Sequence, residues 1–215
     1  MQITRKFILG VLSLVLALGI TSCTEKEEVG EYDNWQSRNT VYVDSIAKVC
    51  DRNADGNWER ICAFNLDATA EAAAPNNQHY VYVHKIEKGS GDYCPQYNDS
   101  IRAHYMGRLI PSASHSDGYI FDKSYSTYTF NEKTDVPSLF GVAANSIAGS
   151  GLIVGFSTAL MHMKVGDHWL IYIPAYLGYG SKGSGNDIPA YSTLIFDVKL
   201  AKVYKYQIDF DTSWH

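Results

Sequence analysis

Six short fragments between Ser100 and Val203 constrain this chain more than any other feature, because any one of them could arise by chance but six in this order could not. They are Tyr105-Met106-Gly107-Arg108-Leu109, then Phe121-Asp122-Lys123-Ser124, then Gly151-Leu152-Ile153-Val154-Gly155-Phe156, then Met163-Lys164-Val165-Gly166. Ile173-Pro174 running on to Tyr179-Gly180 is the fifth, and Ile188-Pro189 followed by Leu194-Ile195-Phe196-Asp197-Val198 is the sixth. Upstream, Tyr80-Val81-Tyr82-Val83-His84-Lys85-Ile86 alternates side chains and is rich in strand formers. Phe156, Leu160 and Met163 recur at helical spacing and mark one short helix. With 17 glycines, 16 tyrosines and few long helical periods, the composition agrees with a sheet-rich domain.

Taken together, the fragments resemble the FKBP-type peptidyl-prolyl cis/trans isomerases over about half of the chain. The resemblance implies an α+β fold, a curled antiparallel sheet wrapped around a short helix, occupying residues 79–205. Long strands are expected at 101–110, 169–173 and 194–203, with 118–122 and 128–130 flanking an edge. It further implies a catalytic set of Tyr105, Phe121, Asp122, Ile153 and Tyr179, and a substrate-binding wall of Tyr128, Leu152, Phe156, Ile188 and Phe196. In that scheme Asp122 accepts a hydrogen bond from Tyr105, while the Ile153 backbone N–H and the Tyr179 hydroxyl donate to substrate carbonyls. The substrates are proline-containing polypeptides, and neither a cofactor nor a metal is implied. Three positions depart from the family pattern: Phe156 where a Trp is common, Gly151 where an acidic residue is frequent, and Ser184 where a His often stands. A Phe floor keeps the apolar surface and loses an indole N–H.

The chemistry explains why such residues suffice. Rotating an X-Pro bond means crossing a twisted amide at about 18–20 kcal/mol, with no bond made or broken. A dry aromatic pocket favours the less polar twisted amide, and donors hold the flanking carbonyls in a turned geometry. An arbitrary aromatic on a strand is a core residue. The motif context sets Tyr105, Phe121, Phe156 and Tyr179 apart from that rule, whereas Phe130 reads as core. His104, His162 and His168 are scattered singles without metal-ligand spacing or a partner nucleophile. The stretch 131–150, rich in Ala, Ser, Gly and Asn, is longer than the family needs beside the pocket. That loop and the Phe156 floor keep open a second reading, a non-catalytic peptide-binding or envelope assembly module on the same fold.

The front end reads differently. Arg5 and Lys6 precede an apolar run, 7–20, too short for a membrane span, so residues 1–22 form a targeting segment. Ile20-Thr21-Ser22-Cys23 looks like a lipobox, which makes Cys23 the lipidation site and places the protein in a bacterial cell envelope, lipid-anchored at the outer membrane; an ordinary secretory cut near Ser22 is the alternative. Loss of 1–22 removes two positive charges and takes the net charge from -5 to -7, and no Lys/Arg cluster offers a footprint for nucleic acid.

Residues 23–78 are expected to form a tether and a helical extension, and 206–215 a tail. Trp35, Tyr42, Ile46 and Val49 draw one face of a helix that must cover the sheet domain or a partner copy. Asp51-Arg52-Asn53-Ala54-Asp55-Gly56 has the opening spacing of an EF-hand calcium loop, but Cys62 stands where the bidentate Glu belongs, so an Asx/Gly turn is expected. Cys50 and Cys62 bracket this turn and are candidates for a short-loop disulfide or for reduced thiols, with Cys94 left over. Residues 63–78, with the Ala-rich run 68–74, read as a poorly specified connection.

Overall fold

A computed structural model describes residues 30–126, 130–131, 133–144 and 151–206. Cys23 and Tyr128 lie outside the described residues. The elements, in chain order, are α1 (Trp35–Arg52), β1 (Trp58–Cys62), α2 (Ala68–Ala73), β2 (Tyr80–Glu87), β3 (Ser100–Leu109), β4 (Ile120–Lys123), β5 (Ser138–Gly141), α3 (Val154–Leu160), β6 (His168–Ile173) and β7 (Leu194–Tyr204). Seven strands make one antiparallel sheet in the order β1-β2-β6-β7-β3-β4, with β5 also beside β3.

Because side chains alternate along a strand, the register assigns each residue to a face. Tyr82 pairs with Tyr172 and Tyr172 with Ile195, so these share one face; Ile171 pairs with Phe196 and Trp169 with Val198 on the other. The short helix α3 covers the Ile171 side. A Cβ on Gly155 would come within 2.3 Å of the Ile173 Cγ2 atom, so only glycine lets the helix sit this close to β6.

On the opposite face lies α1. Its Tyr42 ring sits 6.4 Å from Tyr172, and its buried positions are Trp35, Asn39, Val43, Ile46, Ala47 and Cys50. The helix is therefore as expected, but its inner face is rotated: Val43, Ala47 and Cys50 are buried, while Tyr42 and Val49 stand at the edge of the contact. Spacing alone allowed either stripe, and the larger Tyr42 ring lies where it can stack at the border. Two polar pins fix the helix. Trp35 Nε1 donates to Ser192 Oγ at 2.8 Å, and Asn39 Oδ1 accepts from the Thr193 amide at 2.6 Å.

The calcium-like segment is a helix stop and turn. Asn53 adopts a left-handed conformation (φ 39°) and its amide caps the Val49 carbonyl, while its Oδ1 accepts from the Trp58 amide. Asp55 accepts from the Asn57 amide and meets His84 Nε2 at 2.6 Å. Cys50 and Cys62 are free thiols, the second of the two alternatives that their spacing left open. The physical reason is β1: a strand advances about 3.3 Å per residue, and β1 carries Cys62 away from the turn while Cys50 stays in the buried face of α1. The Ala-rich run is also more ordered than expected, forming α2 with Asp67 accepting from the Thr69 and Ala70 amides at its start.

Candidate active site

A cavity of about 310 Å³ opens on the α3 side of the sheet, between β3, β4, β7, the start of α3 and the loop 178–188. Its walls are a chain of rings. Phe121 meets Phe196 edge to face at 5.6 Å, Phe196 meets Phe156 at 4.8 Å, Phe156 meets Phe140 at 6.1 Å, and Phe140 meets Tyr105 at 5.2 Å. Such pairs stabilise by about 0.5–1.5 kcal/mol each beyond area burial, so the wall holds its shape without a ligand. Gly107 makes the closest contact possible, since a Cβ there would lie 2.5 Å from the Phe121 ring and 2.8 Å from Phe196.

Polar groups gather at one rim. Tyr105 Oη donates to Asp122 Oδ2 at 2.7 Å, and burial together with that bond holds the Tyr105 hydroxyl protonated, well above the usual tyrosine range. Tyr179 is 40% exposed, and burial of its hydroxyl end, with the Asp122 charge adding to it, raises its pKa against the opposing pull of Ser184. It is a protonated donor at neutral pH. Ile153 caps the start of α3; its carbonyl accepts from the Phe156 and Ser157 amides, and its own N–H meets no acceptor among the described residues.

The cavity brings together Tyr105, Phe121, Asp122, Leu152, Ile153, Phe156, Tyr179, Ile188 and Phe196, all nine described members of the set that the sequence named. It also contains residues the sequence analysis did not place there: Phe140, Gly185 and Asp187. Phe140 belongs to β5, a four-residue strand inside the stretch 131–150, which the Ala/Ser/Gly composition disguised as loop. Its signal was the Pro137-to-Gly141 pattern, a break followed by a Leu-Phe pair. Asp187 accepts from Tyr119 Oη at 2.9 Å and so ties the loop 178–188 to the residue before β4. Phe130 stands on the other face, stacked on His104 at 4.7 Å.

Comparison with known proteins follows the same lines. The family model "FKBP-type peptidyl-prolyl cis-trans isomerase" matches residues 91–201, more than half of the chain, and the chain belongs to this family. The macrophage infectivity potentiator of Trypanosoma cruzi is 35% identical over 119 residues, 55% of this chain and 50% of that protein. The FKBP-type 22 kDa peptidyl-prolyl cis-trans isomerase of Escherichia coli is 36% identical over 118 residues, 55% of this chain and 47% of that protein. The chain thus spans about half the length of these curated relatives. Among solved structures, FkpA from Escherichia coli has the same fold, with a TM-score of 0.50 and 23% identity over 80% of this chain and 64% of that one. A peptidyl-prolyl cis-trans isomerase from Pseudomonas syringae gives 0.52 and 20% over 79% and 96%.

Proposed function

We propose that the protein is a peptidyl-prolyl cis/trans isomerase that acts on proline-containing polypeptides and assists folding in a bacterial cell envelope. The observation that carries this reading is the ring-lined cavity with donors on its rim, in a chain of this family. A proline ring would enter between Phe156, Phe196 and Phe121, which replace water around the amide with apolar surface. The twisted amide has lost its resonance dipole and loses less on leaving water than the planar one, so the pocket lowers the barrier without a nucleophile. The Tyr179 hydroxyl and the Ile153 amide would hold the carbonyls on either side, and Asp122 would fix the Tyr105 ring through their 2.7 Å hydrogen bond.

The test is isomerisation of a short X-Pro tetrapeptide series by the full chain in detergent. Acceleration over the uncatalysed rate is the expected result. A folded protein that accelerates none of the peptides but binds them would establish the rival binding module, which the Phe156 floor favours. The envelope location rests on residues 1–22 and on Cys23 as a lipid-bearing residue. Labelled fatty acid should enter the wild type and not Cys23→Ser; a wild type that takes up no label would overturn the anchor. Among the described residues no helix is long and apolar enough to cross a membrane.

A further inference from the structure

A second concavity, of about 450 Å³, lies where α1 meets the loop 175–193. Its lining has an unusual chemistry. No residue in it carries a full charge, and amides (Gln36, Gln78), hydroxyls (Ser181, Thr193) and two tyrosine rings (Tyr176, Tyr191) dominate. Tyr176 is 60% exposed although large and aromatic. Thr193 is the opposite: it is 1% exposed, and its Oγ1 is buried with no hydrogen-bond partner among the described residues. A buried hydroxyl left unpaired is destabilising, so an occupant that bonds it recovers stability the free protein lacks. Tyr191 beside it holds a left-handed backbone (φ 62°), strained for a ring-bearing residue, with its amide bonded to the Gly180 carbonyl.

One loop borders both hollows through consecutive residues: Tyr179 lines the cavity, and Gly180 and Ser181 line the groove. An uncharged surface of amides and hydroxyls does not select phosphate, carboxylate or a cation. It matches the free carbonyls and amides of an extended backbone, and the flat faces of exposed tyrosines suit the pyrrolidine rings of a polyproline II segment. We propose that this groove is a second polypeptide subsite, which takes the extended segment flanking the proline being isomerised. The N-terminal extension thereby becomes part of the substrate-binding surface, since α1 supplies Gln36. The inference rests on the isomerase reading, and its test separates the two.

The probes are an X-Pro tetrapeptide, which fills only the cavity, and the same core lengthened by six residues on each side with Pro- and Gln-rich sequence. In the wild-type full chain the long peptide should show a KM at least about tenfold lower than the tetrapeptide, a difference of about 1.4 kcal/mol. Gln36→Ala with Tyr176→Ala, both exposed side chains, should erase that advantage and leave tetrapeptide turnover unchanged. Thr193→Val should weaken the long peptide about fivefold while melting at the same temperature or higher, because the hydroxyl it removes is unpartnered in the free protein. A purely structural role for these residues would lower stability and leave the long-to-short ratio intact. A ratio of one in the wild type, or a ratio unmoved by the double substitution, overturns the proposal. If no peptide is isomerised, direct binding of the long peptide by fluorescence anisotropy still decides the groove, with loss of binding in the double variant upholding it and unchanged binding sinking it.

Discussion

The two faces of the β2-β6-β7 sheet are closed in opposite ways. On the Phe196 face, rings meet edge to face or tilted and leave about 310 Å³ open; on the Tyr172 face, α1 covers the sheet and is pinned at Ser192 and Thr193, leaving a hollow where its first turns meet the loop 175–193. A face that binds must keep apolar surface uncovered and rigid, and ring-to-ring contact supplies the rigidity without filling the hole. A face that stabilises does the reverse, burying side chains and pairing most of the polar atoms it encloses, as Trp35 Nε1 and Asn39 Oδ1 are paired here while Thr193 Oγ1 is left to the groove beside them. Substitutions should therefore split cleanly, with stability on one side and turnover on the other.

The largest expected effect tests the filled face. Ile46→Ala should cost about 2–4 kcal/mol in chemical denaturation, as truncation of a packed aliphatic side chain does, with tetrapeptide turnover per folded molecule unchanged. Loss of both together would show that the faces are coupled. On the open face, Phe121→Ala should lower kcat/KM about thirtyfold, about 2 kcal/mol of transition-state stabilisation, and shift the melting temperature less than Ile46→Ala. An equal stability loss would make Phe121 a core residue and blur the contrast.

Tyr179→Phe removes a single rim donor. A neutral hydrogen bond contributes about 0.5–1.5 kcal/mol, so kcat/KM should fall about two- to tenfold with no change in stability. The smallest effect is on the Tyr172 face at the opposite end of β6, where His168 Nε2 meets Asp197 Oδ1 at 2.5 Å and its Nδ1 lies 3.8 Å from Glu87. Asp197 raises the folded pKa of His168 against partial burial and nearby Lys199. The pair's contribution is thus fully present below about pH 6.5, the ordinary histidine value, and is lost as pH rises through the raised folded pKa. With Asp197 partly exposed, it should amount to about 0.2–1 kcal/mol. Melting curves of wild type and His168→Gln should converge above that range; a gap that widens with pH would reverse the assignment.

The same contrast explains what could be read from the chain. The open face is written in fragments that each fix their own local geometry: Gly107 between two rings, Asp122 beside Phe121, Ile153 at a helix start. Turn formers flank every long strand, so the alternation of 80–86 and 194–203 has one register that buries it. The filled face had no such local code. Asn39 is buried because a loop 154 residues away presents the Thr193 amide to it, and nothing near Asn39 in sequence says so. β1 escaped notice because Glu59 and Arg60 are both exposed although they face opposite sides of an edge strand, so no alternation shows, and five residues are too few for a period to emerge. β5 escaped for a related reason, its pairing with β3 being what makes 138–141 a strand.

By itself, then, the sequence determined the family, five of the seven strands and, through the resemblance its motifs carry, nine of the residues that meet at the cavity, since alternation and motifs lie in short stretches of chain. Only the tertiary structure decided which stripe of α1 turns inward, that Phe140 completes the ring wall, that Cys50 and Cys62 stay apart, and that α1 and the loop 175–193 enclose a second groove. Each of these depends on segments far apart in the chain arriving at one place, and such meetings are set by the packing of whole elements instead of by any residue's neighbours in sequence.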